Sequence, residues 1–234
     1  MATRYSPQIV TDGLVLTLDA ANKLSYPGSG TSWYDMSGNN YTNTLTNSPT
    51  YSVANGGILT FARASSQYAE TASSFPSLSN WTIESWVKFT TVPSANTTVS
   101  AIITNVYNGS NLNFCFTTDV DSTANKGIYV AFFNGAWRYA PYHVPSAGVW
   151  YHYVGTYDGA TIIMYVNGSS YSSTAYVGTS SSGGTVRIAR RWDSDTSVGN
   201  FINGAIPTVR IYNRALTATQ VLQNYNASKS RFGL

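Results

Sequence analysis

Residues 161–176 read TIIMYVNGSSYSSTAY, two runs of β-favouring residues joined by Asn167-Gly168. Asn-Gly supplies the two positive φ angles of a type I′ turn, so this stretch predicts a β-hairpin. Residues 127–140, GIYVAFFNGAWRYA, repeat the arrangement around Asn134-Gly135. The middle of the chain is therefore expected to form an antiparallel meander.

Alternation of apolar and polar residues extends this pattern to the flanking segments. In residues 81–89, WTIESWVKF, the residues Ile83 and Val87 share one face, and Trp86 lies on the other. Side chains two residues apart on a strand share a face, so Trp86 is expected to point away from the core and to be exposed. Such alternation over many strands predicts an all-β fold of two stacked antiparallel sheets.

A helix is predicted only after Leu216. Residues 217–220, TATQ, have capping-box spacing, and Val221, Leu222 and Tyr225 recur at helical intervals. We expect a short helix packed on the rim of the sandwich. No linker or charge block interrupts the chain, so residues 1–234 are expected to form a single domain.

The composition excludes several classes of protein. Ser, Thr and Asn make up 78 of the 234 residues, whereas Lys, Arg, Asp and Glu contribute 23 in all. A hydrophobic content of 43% excludes disorder, and the lone Cys115, expected to be a buried apolar residue, excludes an internal disulfide. With neither a signal peptide nor an apolar run of about 20 residues, we expect neither export nor membrane insertion.

Positive charge is concentrated near the C-terminus, where residues 187–234 hold seven basic and two acidic side chains. A basic end on a near-neutral body suits docking onto an acidic protein surface. No stripe of interleaved basic and aromatic residues is present, so nucleic-acid binding is not expected. The expected docking residues are Arg187, Arg190, Arg191, Arg210, Arg214 and Arg231.

Five blocks, taken together and in order, resemble the laminin-G-like or concanavalin-A-like lectin superfamily. They are GLVLTLDAAN (13–22), WYDMSGNN (33–40), WTIESWVK (81–88), VWYHYVGTYDGATIIMYVNG (149–168) and FINGAIPTVRIYNRALTATQV (201–221). The resemblance implies a jelly-roll sandwich with a short C-terminal helix. The opening block (13–22), together with SYPGSGTSWYD (25–35) and SRFGL (230–234), is also similar to virion proteins of tailed bacteriophages. That similarity implies a virion-surface protein, a capsid decoration or a tail or fibre subunit, made in the host cytoplasm.

A calcium site is one candidate, with Asp35, Ser37 and Asn39 as oxygen ligands, against the alternative of an Asx-turn loop. The family resemblance implies acidic residues before the penultimate strand, in the pattern GxIDEVRIY. Here Pro207 and Thr208 replace both acids. We expect no other cofactor or metal.

Glycosidic hydrolysis requires two carboxyl groups about 5 to 10 Å apart. The chain has only two glutamates, Glu70 and Glu84, and the suitably spaced aspartate pairs 119/121 and 193/195 fall in predicted loops. His143 and His152 lack the sequence context of a nucleophile elbow. We therefore expect no enzymatic activity, with a glycoside hydrolase as the least favoured alternative.

Aromatic side chains are the remaining candidates, because sugar rings stack on Trp and Tyr while Asn and Ser bind the hydroxyl groups. The candidate glycan-binding residues are Trp86, Trp137, Tyr139 and Trp192. The same rings could instead cover a sheet or contact another subunit. Two functions stay open, namely a virion structural protein that contacts other virion proteins or its own copies, and a carbohydrate-binding module for host surface glycans.

Overall fold

The structure is a computed structural model that describes residues 7–92, 99–105, 111–118, 127–178, 183–192 and 200–234. Within these residues the chain forms sixteen strands and one α-helix, α1 (Ala218–Ser228). In chain order the strands are β1 (Leu14–Asp19), β2 (Ser32–Trp33), β3 (Asn43–Thr46), β4 (Thr50–Ser52), β5 (Ile58–Phe61), β6 (Tyr68–Thr71), β7 (Trp81–Phe89), β8 (Ala101–Asn105), β9 (Asn111–Thr117), β10 (Ile128–Asn134), β11 (Trp137–His143), β12 (Trp150–Tyr157), β13 (Thr161–Val166), β14 (Ser169–Ala175), β15 (Val186–Ile188) and β16 (Gly204–Tyr212).

The strands form two antiparallel sheets that pack face to face. The first sheet has the order β14-β13-β12-β7-β16-β5-β4, with β1 also paired to β16. The second sheet has the order β11-β10-β9-β8-β15-β6-β3-β2. This arrangement confirms the predicted jelly-roll sandwich. No helix in the described residues is long and apolar enough to cross a membrane.

The predicted alternation correctly identifies the core. Ile83 and Val87 of β7 are fully buried between the sheets, together with Val130 of β10 and Tyr153 of β12. Because successive side chains of a strand point to opposite faces, the remaining positions form the two outer faces of the sandwich. Cys115 is a buried free thiol that faces outward with the apolar side chains of the second sheet, as part of a separate cluster.

Both predicted hairpins are present. Asn167 and Gly168 have φ angles of 51° and 81°, as a type I′ turn requires, and they join β13 to β14. In the hairpin of β10 and β11, Gly135 has a positive φ of 91° and Asn134 ends the strand. The Asn134 side chain donates to the hydroxyl of Tyr176 at 2.6 Å.

The helix begins as predicted but packs elsewhere. Thr217 and Gln220 form both hydrogen bonds of the capping box. The predicted position on the rim is wrong, because α1 and the 3-10 turn after it lie across the outer face of the first sheet. Tyr225 of α1 and Phe232 of the turn stack on Trp86, with ring centroids 5.8 and 4.2 Å from that indole.

One edge of β16 is divided between two strands. Gly204 and Ala205 pair with β5, whereas Thr208 to Tyr212 pair with β1. A bulge separates the two stretches, and Pro207 lies within it. Proline has no N–H to donate to a ladder, so a bulge is one of the few positions where an inner strand accepts it.

Gly155 is the position where the two sheets leave no room for a side chain. A Cβ atom there would collide with Val130 and would lie 3.2 Å from the Phe116 ring. Gly155→Ala is therefore expected to destabilise the fold by about 1–3 kcal/mol through overpacking. Urea denaturation measures this loss, and adding Val130→Ala should restore part of it. A loss of stability in the double variant that equals the sum of the two single losses would contradict a steric cause.

Candidate functional site

The outer face of the second sheet carries a cluster of aromatic rings. On β10, Tyr129 and Phe133 point away from the core, and Trp137 and Tyr139 of β11 lie beside them on the same face. Trp192, which follows β15, joins this group. We call these five residues the aromatic patch.

The rings of the aromatic patch hold one another at steep angles. Trp137 lies 5.0 Å from Trp192 at 61° and 5.3 Å from Phe133 at 66°, measured between ring centroids and planes. Tyr139 meets Tyr129 edge-on at 5.4 Å. Edge-to-face contacts are favourable and fix the rings in place. Trp137 and Tyr139 are two residues apart on one strand, so their Cα atoms lie about 7 Å apart. Both side chains stay partly exposed.

The structure brings together three of the four candidate glycan-binding residues. Trp137 and Tyr139 have accessible surface, whereas Trp192 is only 5% exposed and supports Trp137 from the side. The exposed position expected for Trp86 is wrong. This residue lies on the opposite sheet with 0% exposure, because α1 and Phe232 cover it, and its indole N–H donates to Ser228. The binding role of the other three stays a prediction.

The predicted basic docking surface does not form as a single surface, since the six arginines divide between the two sheets. Arg210 is buried against Glu84, which contradicts a docking role for it. Arg214 pairs with Asp12 at 3.0 Å. Arg231 donates to Asp19 at 2.8 Å and to the carbonyls of residues 55 and 57.

The other three arginines lie beside the second sheet and are also engaged. Arg187 pairs with Glu70 at 3.0 Å. Arg190 is buried over the Tyr68 ring, and Arg191 lies over the Trp192 ring at 5.2 Å. The guanidinium groups are thus used within the fold, which explains why a count of charges overestimated the basic surface.

The candidate calcium loop is organised by hydrogen bonds from the protein. Asp35 accepts from the backbone N–H groups of Thr17, Ser37 and Tyr41 at 2.9 to 3.0 Å, and from the Ser37 hydroxyl at 2.8 Å. Asn39 donates to the carbonyl of residue 15 at 3.1 Å. These contacts are the Asx-turn alternative. Among the described residues, no group of three or more His, Cys, Asp or Glu side chains could hold a metal ion.

The sequence reasoning missed a buried polar cluster beneath α1. Glu84 of β7 accepts from Arg210 of β16 and from Asn224 of α1, the latter at 2.6 Å. His152 of β12 lies 3.0 Å from the same carboxylate. Burial raises the pKa of Glu84, but Arg210, His152 and Asn224 outweigh it and lower the pKa to about 2. The available signal was the alternation itself, which places Glu84, His152 and Arg210 on one outer face.

The carboxylates considered for hydrolysis are not paired by the fold. Glu84 is buried on the outer face of the first sheet, whereas Glu70 lies on β6 of the second sheet, bound to Arg187 and to the Thr185 hydroxyl. The aspartate pairs 119/121 and 193/195 lie outside the described residues.

The two-sheet jelly-roll sandwich is the fold of a lectin-like domain. Residues 63–222, more than half of the chain, match the model of the family described as the concanavalin A-like lectin/glucanases superfamily. The chain belongs to this superfamily. No curated protein sequence matches it.

Solved structures share the fold at low sequence identity. Domain 4 of AbnA, a GH43 extracellular arabinanase from Geobacillus stearothermophilus solved with arabinotriose, is 17% identical with a TM-score of 0.67, over 91% of this chain and 98% of that one. The botulinum neurotoxin type G receptor binding domain is 17% identical with a TM-score of 0.67, over 92% and 51%. The serotype D/C VPI 5993 binding domain is 13% identical with a TM-score of 0.70, over 93% and 52%. The chain spans about half the length of these toxin domains.

The buried carboxylate gives a pH-dependent prediction. Because folding lowers the pKa of Glu84 from 4.5 to about 2, the ionised group stabilises the fold fully above pH 4.5, and this contribution is lost as the pH falls through 2. Glu84→Gln leaves Arg210 buried without its counter-charge and should cost about 3–5 kcal/mol at pH 7. Urea denaturation measures the free energy of unfolding at pH 7 and pH 3, and the difference between Glu84→Gln and wild type should be smaller at pH 3.

Glu70→Gln is the matched control, because Glu70 pairs with an arginine at a partly exposed position. We expect it to cost about 0–1 kcal/mol. A loss for Glu84→Gln that matches the control, or that is the same at both pH values, would contradict the assignment.

Proposed function

We propose that this protein is a non-enzymatic carbohydrate-binding domain that holds a glycan on the aromatic patch. The observation that carries the proposal is the pair Trp137 and Tyr139, which are partly exposed on one face of β11 and are fixed by edge-to-face contacts behind them. Rigid aromatic rings offer contact area at little cost in conformational entropy.

The chemistry of the patch fits neutral sugars. The C–H faces of a pyranose or furanose ring are apolar and stack on flat aromatic rings. Arg191 lies over Trp192, so a guanidinium group borders the rings and can donate to hydroxyl oxygens. The low charge of the chain, 23 ionisable Asp, Glu, Lys and Arg in 234 residues, agrees with recognition through neutral groups.

One neighbour in fold supports the same class of ligand, because the arabinanase domain was solved in complex with arabinotriose. The type G neurotoxin domain is named a receptor binding domain, which supports a binding role. The absence of activity is part of the proposal. It is supported by the separation of Glu70 and Glu84, which lie on opposite outer faces of the sandwich and cannot act as a catalytic pair.

A glycan array followed by titration of the best ligand tests the proposal. Trp137→Ala and Tyr139→Ala should each weaken binding about fivefold or more, because each removes a stacking surface worth about 1 kcal/mol or more. Tyr34→Ala is the matched control, since Tyr34 is 46% exposed and lies outside the patch. No signal on the array, or equal losses in all three variants, would refute the proposal.

We further propose that the domain is displayed on a bacteriophage virion, as a capsid decoration or a tail or fibre subunit, after synthesis in the host cytoplasm. The support is the similarity of residues 25–35 and 230–234 to such proteins. In the fold, Tyr26 and Trp33 are buried, and Phe232 packs on Trp86, so these segments carry core contacts.

Immunogold labelling of purified virions tests this placement. Antibody to the domain should label intact particles at one reproducible position, and the domain should co-sediment with them through a density gradient. Labelling absent from particles but present in the soluble fraction of infected cells would overturn the virion assignment and leave the glycan proposal standing.

A further inference from the structure

A pocket lies on the part of the first sheet's outer face that α1 does not cover. Its volume is about 370 Å³, at the low end of the roughly 300–1,000 Å³ of ligand pockets, so it has room for one small ring. The walls come from the segment before β1, from β1 itself, from the loop after β2 and from β16. Lining residues include Leu14, Thr17, Asp19, Asn22, Met36 and Arg210.

One buried polar atom at this pocket lacks a partner. Arg210 is 5% exposed, and its Nη1 donates to Glu84, but its Nε has no hydrogen-bond partner among the described residues. A buried polar group without a partner costs free energy, so a pocket lined by one favours a ligand that bonds it.

The charges at the pocket are balanced. Arg210 is neutralised by Glu84, and Asp19 by Arg231. The lining holds one guanidinium group and one carboxylate, each already paired, so it favours neither an anionic nor a cationic ligand. The hydroxyl of Thr17 and the side-chain amide of Asn22 add neutral donors and acceptors, while Leu14 and Met36 supply apolar wall.

We propose that this pocket binds a small neutral polyhydroxylated ligand, such as a monosaccharide or the terminal residue of a glycan. Each hydroxyl group of such a ligand donates and accepts, which matches a wall that offers a carboxylate, an amide, a threonine hydroxyl and a guanidinium group. The site is separate from the aromatic patch, because the two lie on the outer faces of different sheets. It therefore stands independently of the glycan proposal for the patch.

Methionine methyl groups report on the pocket directly. Met36 lines it, whereas Met164 is fully buried in the core between the sheets and serves as an internal reference. Protein labelled with ¹³C at the methionine methyl groups is titrated separately with glucose, galactose, mannose and arabinose. We expect at least one sugar to shift the Met36 signal saturably and to leave the Met164 signal in place. Met36→Leu assigns the resonance.

Thr17→Val tests the polar wall without changing the shape of the side chain. Loss of one hydrogen bond should weaken the effective sugar about fivefold. Thr50→Val is the matched control and should leave this affinity unchanged, because Thr50 is exposed on β4 and does not line the pocket. The proposal is overturned if no sugar shifts Met36 saturably, if sulfate or tetramethylammonium does so instead, or if Thr17→Val binds as wild type does.

Discussion

A single buried carboxylate holds the outer layer of the first sheet together. Glu84 takes hydrogen bonds from β16 through Arg210 and from α1 through Asn224, and it contacts β12 through His152. Removing one partner would leave a charge in apolar surroundings, so the contacts stabilise one another. They fix α1 and the following turn over Trp86. The outer face of the first sheet is thus largely covered by α1 and this turn, and the aromatic patch lies on the outer face of the second sheet.

Local signals in the sequence were sufficient for the two hairpins and for the first turn of α1. The turn at Asn167-Gly168 and the capping box of Thr217 and Gln220 depend on residues within four positions of one another, so they could be identified without knowledge of the fold. Alternation on β10 and β11 likewise places Trp137 and Tyr139 on one outer face. The two hairpins, the start of α1 and the shared face of Trp137 and Tyr139 therefore follow from short-range patterns.

Contacts between distant segments account for what the sequence did not predict. Alternation separates the two faces of β7, but it does not show whether another element covers the outer face. Here Phe232 covers that face at Trp86. The same limit applies to Arg210 and Arg231, whose partners Glu84 and Asp19 are far away in the chain. The burial of Trp192 depends on how it packs against Trp137.

The divided edge of β16 separates two parts of the fold that would otherwise depend on each other. β5 pairs with β16 only at Gly204 and Ala205, and β1 pairs with β16 beyond the bulge at Pro207. A one-residue slip in a strand moves its side chains to the opposite face. Because the two ladders do not overlap, a slip of β5 along β16 does not by itself shift the register of β1. The part of the pocket wall that β1 and β16 form can thus stay in place while the pairing of β5 with β16 changes.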